Sequence, residues 1–576
     1  MKRNNLGFAV SVAVTLLAAS GLSATQGSGT AATARTRTAR AARVETLPER
    51  PKLAVLIMVD QMRADYVEHF KNDWTHGLKR LVTQGAWFRR AAYPYLTTVT
   101  CAGHATVGTG AFPRTHGIIQ NTWWDREHKQ LTTCTQDANV HEIGYGVSVD
   151  GGDSASHLMM PTFADVLRSQ RRAHVVTLSL KARSAIMPAG HGGDAVTWLD
   201  DAGDGWTTSS AFAEQPVPAV KAFIDANPLD DDFGKTWTRA LPAARYSGPD
   251  DAVGEAPPKG WTRTFPHELK GTTGAPDADF RQQWMHSPYA DAYLGRFAAA
   301  LAESLALGKH GTTDMLSVSF SSPDLVGHGF GPRSQEMQDM YMRLDATIGT
   351  LLDRLDVVVG KGQYVVALTA DHGVTPLPEQ LTAAGQDGGR ISQTAVRDAV
   401  QNAAQAALGS GTYVARENYN DIYLAPGVSA KLAAKPEALQ AVVNALLATP
   451  GIAKVYRAEE IRGAAHSSDR FERAAALSYF PGRSGDLILV PKPGWEFSTS
   501  GAMHGTATAD DQRVPILLFG FGIRPGAYMQ AVTPADVAPT LAAVCGITLL
   551  QADGHALTEA LRAAPRRTTS GGQPPH

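Results

Sequence analysis

Six side chains able to ligate a metal ion stand just beyond apolar runs of this sequence. "LAVLIMVD" ends at Asp60, and "YVVALTADH" ends at Asp371 and His372. "MLSVSFSSPD" ends at Asp324, which opens a D-x-x-x-H closed by His328. His504 lies in "GAMHGT", ahead of the apolar run 514–522. Three carboxylates and three imidazoles suit Zn²⁺, whose catalytic sites mix His with Asp and keep a position open. Two such ions ~3.5–4 Å apart would stabilise the attacking and leaving oxygens of a phosphoryl transfer. Singly, each signal is weak: an Asp after a strand usually makes a turn or caps a helix, and "DHG" is itself a plausible turn. Position gives them weight, because residues at separate strand ends converge in an α/β sheet.

A nucleophile is sought in "LTTVTCAGHATVGTG" (96–110). Its second half resembles a phosphate-cradling loop, but Thr109 and Gly110 stand where that loop needs Lys and Ser or Thr. Cys101 is a second candidate. Sulfatases use a Cys or Ser within C/S-x-P-x-R, and "AGHA" after Cys101 supplies neither the Pro nor the Arg. Cys101 reads as a small apolar packing residue.

The elements positioning these residues follow from periodicity. Near-continuous aliphatic runs such as "LAVLIMV", "HVVTLSL", "MLSVSF", "YVVALT" and "VPILLFGFG" fit strands covered on both faces. Between them, Met337, Met340, Tyr341, Leu344, Ile348, Leu351, Leu352 and Leu355 recur at helical spacing, with Ser334 placed to cap that helix. The expected fold is α/β: a doubly wound, mostly parallel central sheet with helices on both faces, plus inserted cap regions. Residues 191–300, rich in Gly, Asp, Pro and Trp, are expected to cap the site. Residues 376–480 are expected to form a small inserted α/β subdomain. "LSLKARSAI" reads as a strand ending in Lys181 and Arg183, both pointing to one side of an extended segment.

The chain has 576 residues and a net charge of −2, which argues against a nucleic-acid partner. Lys2 and Arg3 precede an apolar run, Leu6 to Ala19, too short for a membrane span and followed by small residues. Residues 1–24 therefore read as a signal peptide, implying an exported protein, periplasmic or extracellular, without stable membrane association. Residues 25–50 read as a flexible leader and 563–576 as a disordered tail, leaving 51–562 as the catalytic domain. Three cysteines, Cys101, Cys134 and Cys545, give no disulfide framework. One bridge is possible, but none is expected.

"TVTCAGHATVGTGAFPRTHGIIQN" resembles the nucleophile region of the alkaline phosphatase superfamily, in its type I phosphodiesterase/nucleotide pyrophosphatase branch. The resemblance spans residues 51 to 562 and implies an alkaline phosphatase-like fold. It makes Thr100, four residues before His104, the nucleophile. It assigns one zinc to Asp324, His328 and His504, and a second to Asp60, Asp371, His372 and the Thr100 oxygen. His104 and His116 are expected to be structural. The K-x-R pair is similar to that of the phosphate-irrepressible bacterial alkaline phosphatases, which implies that Asn121, Lys181 and Arg183 contact the phosphoryl oxygens. The resulting expectation is an exported, monomeric phosphomonoesterase with two Zn²⁺ per chain, acting on small-molecule phosphate monoesters through a phosphothreonine. The alternatives are a phosphodiesterase with the same metals and a non-catalytic phosphate- or metal-binding protein.

Overall fold

The computed structural model describes residues 49–200 and 203–562. The expected signal peptide, the tail, and the leader save residues 49 and 50 lie outside the described residues. The strands that matter here are, in chain order, β1 (Leu53–Val59), β2 (Ala86–Ala91), β3 (Thr122–Asp125), β4 (Gln130–Thr133), β5 (Glu142–Gly144), β6 (Val175–Ser179), β7 (Ala195–Leu199), β8 (Trp206–Ser209), β9 (Asp314–Phe320), β10 (Tyr364–Thr369), β11 (Val414–Asn418), β12 (Asp421–Leu424), β13 (Ile452–Arg457), β14 (Leu487–Pro491), β15 (Ile516–Gly520) and β16 (Gly526–Val532). The helices that matter are α1 (Thr100–Thr109), α2 (Phe163–Arg171), α3 (Ala182–Ala189), α4 (Pro288–Ser304), α5 (Ser322–Phe330), α6 (Gln335–Leu355), α7 (Gln393–Leu408), α8 (Pro436–Leu447) and α9 (Val537–Cys545).

Ten strands form the central sheet, in the order β16-β2-β15-β10-β1-β9-β6-β7-β8-β5. Its middle, β10-β1-β9-β6-β7, is parallel throughout. Every residue of β1 is buried, as its unbroken apolar run requires. Alternate β1 residues feed two cores. Leu53, Val55, Ile57 and Val59 join α4 and α6 on one face, and Ala54, Leu56 and Met58 join α2 and α9 on the other. Ser334 caps α6 by accepting from the Met337 N–H.

The structure departs from the sequence reading in three places. The run 514–522 supplies β15, which is antiparallel to both β10 and β2, so the sheet is mixed. Within the expected cap, residues 195–209 supply β7 and β8 of the main sheet, and α4 covers one of its faces. The four-stranded antiparallel sheet β11-β12-β14-β13, packed on α7 and α8, draws its third strand from beyond residue 480. Among the described residues no helix is long and apolar enough to cross a membrane.

Candidate active site

Four adjacent parallel strands deliver the chemistry at their carboxyl ends. β10 leads to Asp371 and His372, β1 to Asp60, β9 to Asp324 and His328 on α5, and β6 to Lys181 and Arg183 at the head of α3. His504 arrives from the loop before β15, its ring stacked on His372 with centroids 3.5 Å apart. Thr100 is the first residue of α1, and the whole helix is buried. Gly103 lets it sit there: a Cβ at that position would lie 2.1 Å from the Asp371 carbonyl oxygen.

Two groups of side chains bring ligand atoms within 4.8 Å of one another: Asp324, His328 and His504; and Asp60, His104 and Asp371. The first is the set expected from sequence. The second contains His104, expected to be structural. His104 Nδ1 lies 2.9 Å from the Thr100 carbonyl and Nε2 lies 2.8 Å from Ser319 Oγ, with Asp60 and Asp371 oxygens at 3.4 and 3.5 Å. His372 stands beside that group, its Nε2 3.3 Å from Asp371 Oδ2. His116 is further back, bonded to Thr106 and to the Ile118 N–H.

The donor set fits metal ions. Nδ1 of His328, His372 and His504 lies 2.6, 2.9 and 2.9 Å from the carbonyls of Ala502, Gly373 and Thr98. A carbonyl only accepts, so each Nδ1 carries a proton and Nε2 is the ring atom left to ligate once it gives up any proton of its own. Asp371 Oδ2 and His372 Nε2 are buried without a hydrogen-bond partner. Buried polar atoms left without partners are costly unless a cation or another ligand meets them.

The electrostatics are those of a dense buried charge cluster. Lys181 Nζ lies 2.6 Å from Asp324 Oδ2 and 3.1 Å from Asp60 Oδ2. Burial opposes the Lys181 charge, but Asp324 and Asp60 outweigh it and hold the ammonium above its ordinary range. Against the same burial, Lys181 and His104 hold Asp60 well below the usual carboxylate range, and His328 and Lys181 do so for Asp324. Burial, reinforced by His372 and His328, pushes His504 far down. For His372 burial is overcome by Asp371, and the ring rises to about 9.

Several participants carried no recognised motif. Ser319 and Ser321 donate to Asp60 at 2.7 and 2.9 Å. Gln61 donates its N–H to Asp371 at 3.0 Å and its side-chain amide to Asp324 at 2.7 Å, from a left-handed backbone with φ 65°. Their one sequence signal was polarity inside or directly after buried strands, as in "SVSFSS".

Lys181 and Arg183 do not share an extended segment. β6 stops at Ser179, Lys181 is the N-cap of α3 and Arg183 lies in its first turn. Lys181 therefore points to the carboxylates, while Arg183 and Asn121 line one cavity of about 480 Å³. The same cavity is also lined by Glu142, Asp150, Asp153 and Asp200. Cys101 is not free: it is disulfide-bonded to Cys134, contrary to expectation, and Cys545 stays a buried thiol. The pairing had no spacing signature, because it depends on a hairpin folding back onto α1.

Residues 54–512 match the family of type I phosphodiesterases and nucleotide pyrophosphatases. The chain is 31% identical to alkaline phosphatase PhoV of Synechococcus elongatus over 512 residues, covering 86% of this chain and 90% of that protein. It is 32% identical to alkaline phosphatase PhoK of a Sphingomonas species over 535 residues, covering 88% and 91%. The crystal structure of alkaline phosphatase PafA superposes with a TM-score of 0.81 at 28% identity, over 90% of this chain and all of that one. PafA has also been crystallised with a Thr, an Asn, and a Lys and Arg two positions apart replaced together. The chain thus belongs to the type I phosphodiesterase/nucleotide pyrophosphatase family, with a PafA-like alkaline phosphatase fold.

Proposed function

We propose that this protein is an exported, zinc-dependent phosphomonoesterase that hydrolyses small-molecule phosphate monoesters through a phosphothreonine at Thr100. The observation that carries the reading is Thr100 at the head of a buried helix, its carbonyl 2.9 Å from His104 of one of two groups of carboxylates and imidazoles. Asp324, His328 and His504 would hold one Zn²⁺; Asp60, Asp371, His372 and the Thr100 oxygen would hold the other. When bound, such ions supply Lewis acidity and a lowered pKa for a coordinated oxygen.

Thr100 Oγ1 gives up its proton to solvent and attacks phosphorus; the Thr–O–P bond forms as the ester P–O bond breaks. The leaving oxygen takes a proton from solvent, and water then attacks phosphorus, breaking the Thr–O–P bond to release phosphate and restore the Thr100 hydroxyl. The first-turn N–H groups of α1, of which that of Cys101 is taken up by Asn121 Oδ1, favour negative charge at Thr100. Asn121 and Arg183 are donors for the non-bridging oxygens, and Arg183 adds the charge a dianion prefers. The names of PhoV, PhoK and PafA support this reading. Export rests on the sequence pattern of residues 1–24, and N-terminal sequencing of the mature protein tests it.

The second reading, a phosphodiesterase, is favoured by the breadth of the family. Purified protein should turn over p-nitrophenyl phosphate faster than bis-p-nitrophenyl phosphate, lose both activities on chelation, and regain them with zinc. Thr100→Ala should abolish turnover; undiminished phosphate release by that variant would sink the nucleophile assignment, and a preference for the diester would reverse the substrate class.

A further inference from the structure

We infer that Cys134 is a positioning residue: its bridge to Cys101 fixes the Asn121 amide beside Thr100. Three links meet here. The Cys101 N–H, which has no acceptor within its own helix in the first turn of α1, donates to Asn121 Oδ1 at 2.8 Å. The Asn121 carbonyl accepts from the Cys134 N–H at 2.9 Å. The disulfide then joins Cys134 covalently to Cys101, 33 residues back in sequence. Asn121 is thus held at its side chain by the residue after the nucleophile and at its backbone by that residue's bridged partner.

The consequence is orientation. With Oδ1 committed to an N–H donor, the amide presents Nδ2, a pure donor with no partner among the described residues, to the cavity it shares with Arg183. The hairpin β3–β4 begins directly after Asn121 and ends directly before Cys134, with Thr122 paired to Thr133. On its other side it is tied to the four-stranded sheet through Asn418, which donates to the Thr122 carbonyl at 2.8 Å. Without the bridge, the hairpin keeps that outer tie and loses its covalent registry with α1. A shift of about 1 Å in a group positioning substrate is worth up to ~10²-fold in rate.

The inference rests on the proposed role of Asn121 toward the phosphoryl group, and a double-mutant cycle separates the two. In the full chain, Asn121→Ala with the bridge intact tests the Asn121 role alone: an unchanged kcat/KM for p-nitrophenyl phosphate removes that role. Cys134→Ala should lower kcat/KM about 10-fold. In the Asn121→Ala background the same change should lower it less than about twofold, since the group it positions is gone. An equal loss in both backgrounds would mean a general structural effect and overturn the inference. If Cys134→Ala does not fold, the folded wild type is reduced instead with a water-soluble phosphine. The phosphine takes up the oxygen of one water, and the two sulfurs become thiols. Activity should fall as the bridge opens and return on reoxidation; full activity with Cys101 and Cys134 both alkylatable would equally overturn it.

Discussion

Arg183→Ala separates the monoesterase reading from its rival most sharply. Arg183 sits in the first turn of α3, half-buried, with its Nε buried and unpartnered. It forms no ion pair among the described residues, so its charge is free to meet a ligand. Two losses follow from truncation. Either ester loses a charge-assisted hydrogen bond of about 1.5–3 kcal/mol, or roughly 10- to 100-fold in kcat/KM. A monoester dianion carries one charge more than a diester. At contact, about 4 Å, and an effective dielectric of about 20, that charge is worth about 4 kcal/mol. Halving this for the half-exposed guanidinium leaves about 2 kcal/mol, or about 30-fold of discrimination. The assay is kcat/KM for p-nitrophenyl phosphate and bis-p-nitrophenyl phosphate on the same zinc-loaded preparation. Arg183→Lys should fall between wild type and Ala, since it keeps the charge but loses the fork. Equal losses on both esters would show that Arg183 does not read the second phosphoryl charge.

Other perturbations probe the scaffold. Gly103→Ala drives a methyl into the Asp371 backbone, 2.1 Å from its carbonyl oxygen. It should destabilise by about 1–3 kcal/mol and displace Thr100, lowering turnover by ~10²-fold; an active, normally melting variant would show that α1 has room to spare. Burial lifts Glu336, which faces His267 Nε2 at 3.0 Å, to about 8, while burial takes His267 down to about 4. The folded state therefore keeps a proton on Glu336 that the unfolded chain releases above its ordinary value of 4.5, so this group's contribution to stability falls from there up to about pH 8. Between pH 5 and 8 the decline amounts to about 4 kcal/mol. Glu336→Gln should flatten it in denaturant titrations, and an unchanged pH slope would place the proton elsewhere.

The parallel core and the convergence of the candidate ligands were legible because both depend on local pattern. An unbroken apolar run such as "LAVLIMV" is a buried strand, and the polar residue ending it, Asp60, must fall at the sheet edge. Strand direction was not legible. "VPILLFGFG" is as apolar as its neighbours, yet β15 runs the other way, because burial on both faces carries no polarity. The bend between Ser179 and Lys181 was hidden for a similar reason: alternate charges read alike on a strand and across a helix start. Gln61 and the Cys101–Cys134 bridge act across 263 and 33 residues, distances at which only the fold brings partners together.

The Lys181 ammonium, wedged between Asp60 and Asp324, bears on how the molecule is assembled. Closing a core over two bare carboxylates would cost several kcal/mol apiece. A tethered cation removes most of that obstacle before any ion arrives. The chain thus carries its own placeholder for positive charge, and the order of events, folding first and metal acquisition second, becomes open to it in a way that is closed to domains whose ligands repel one another until loaded.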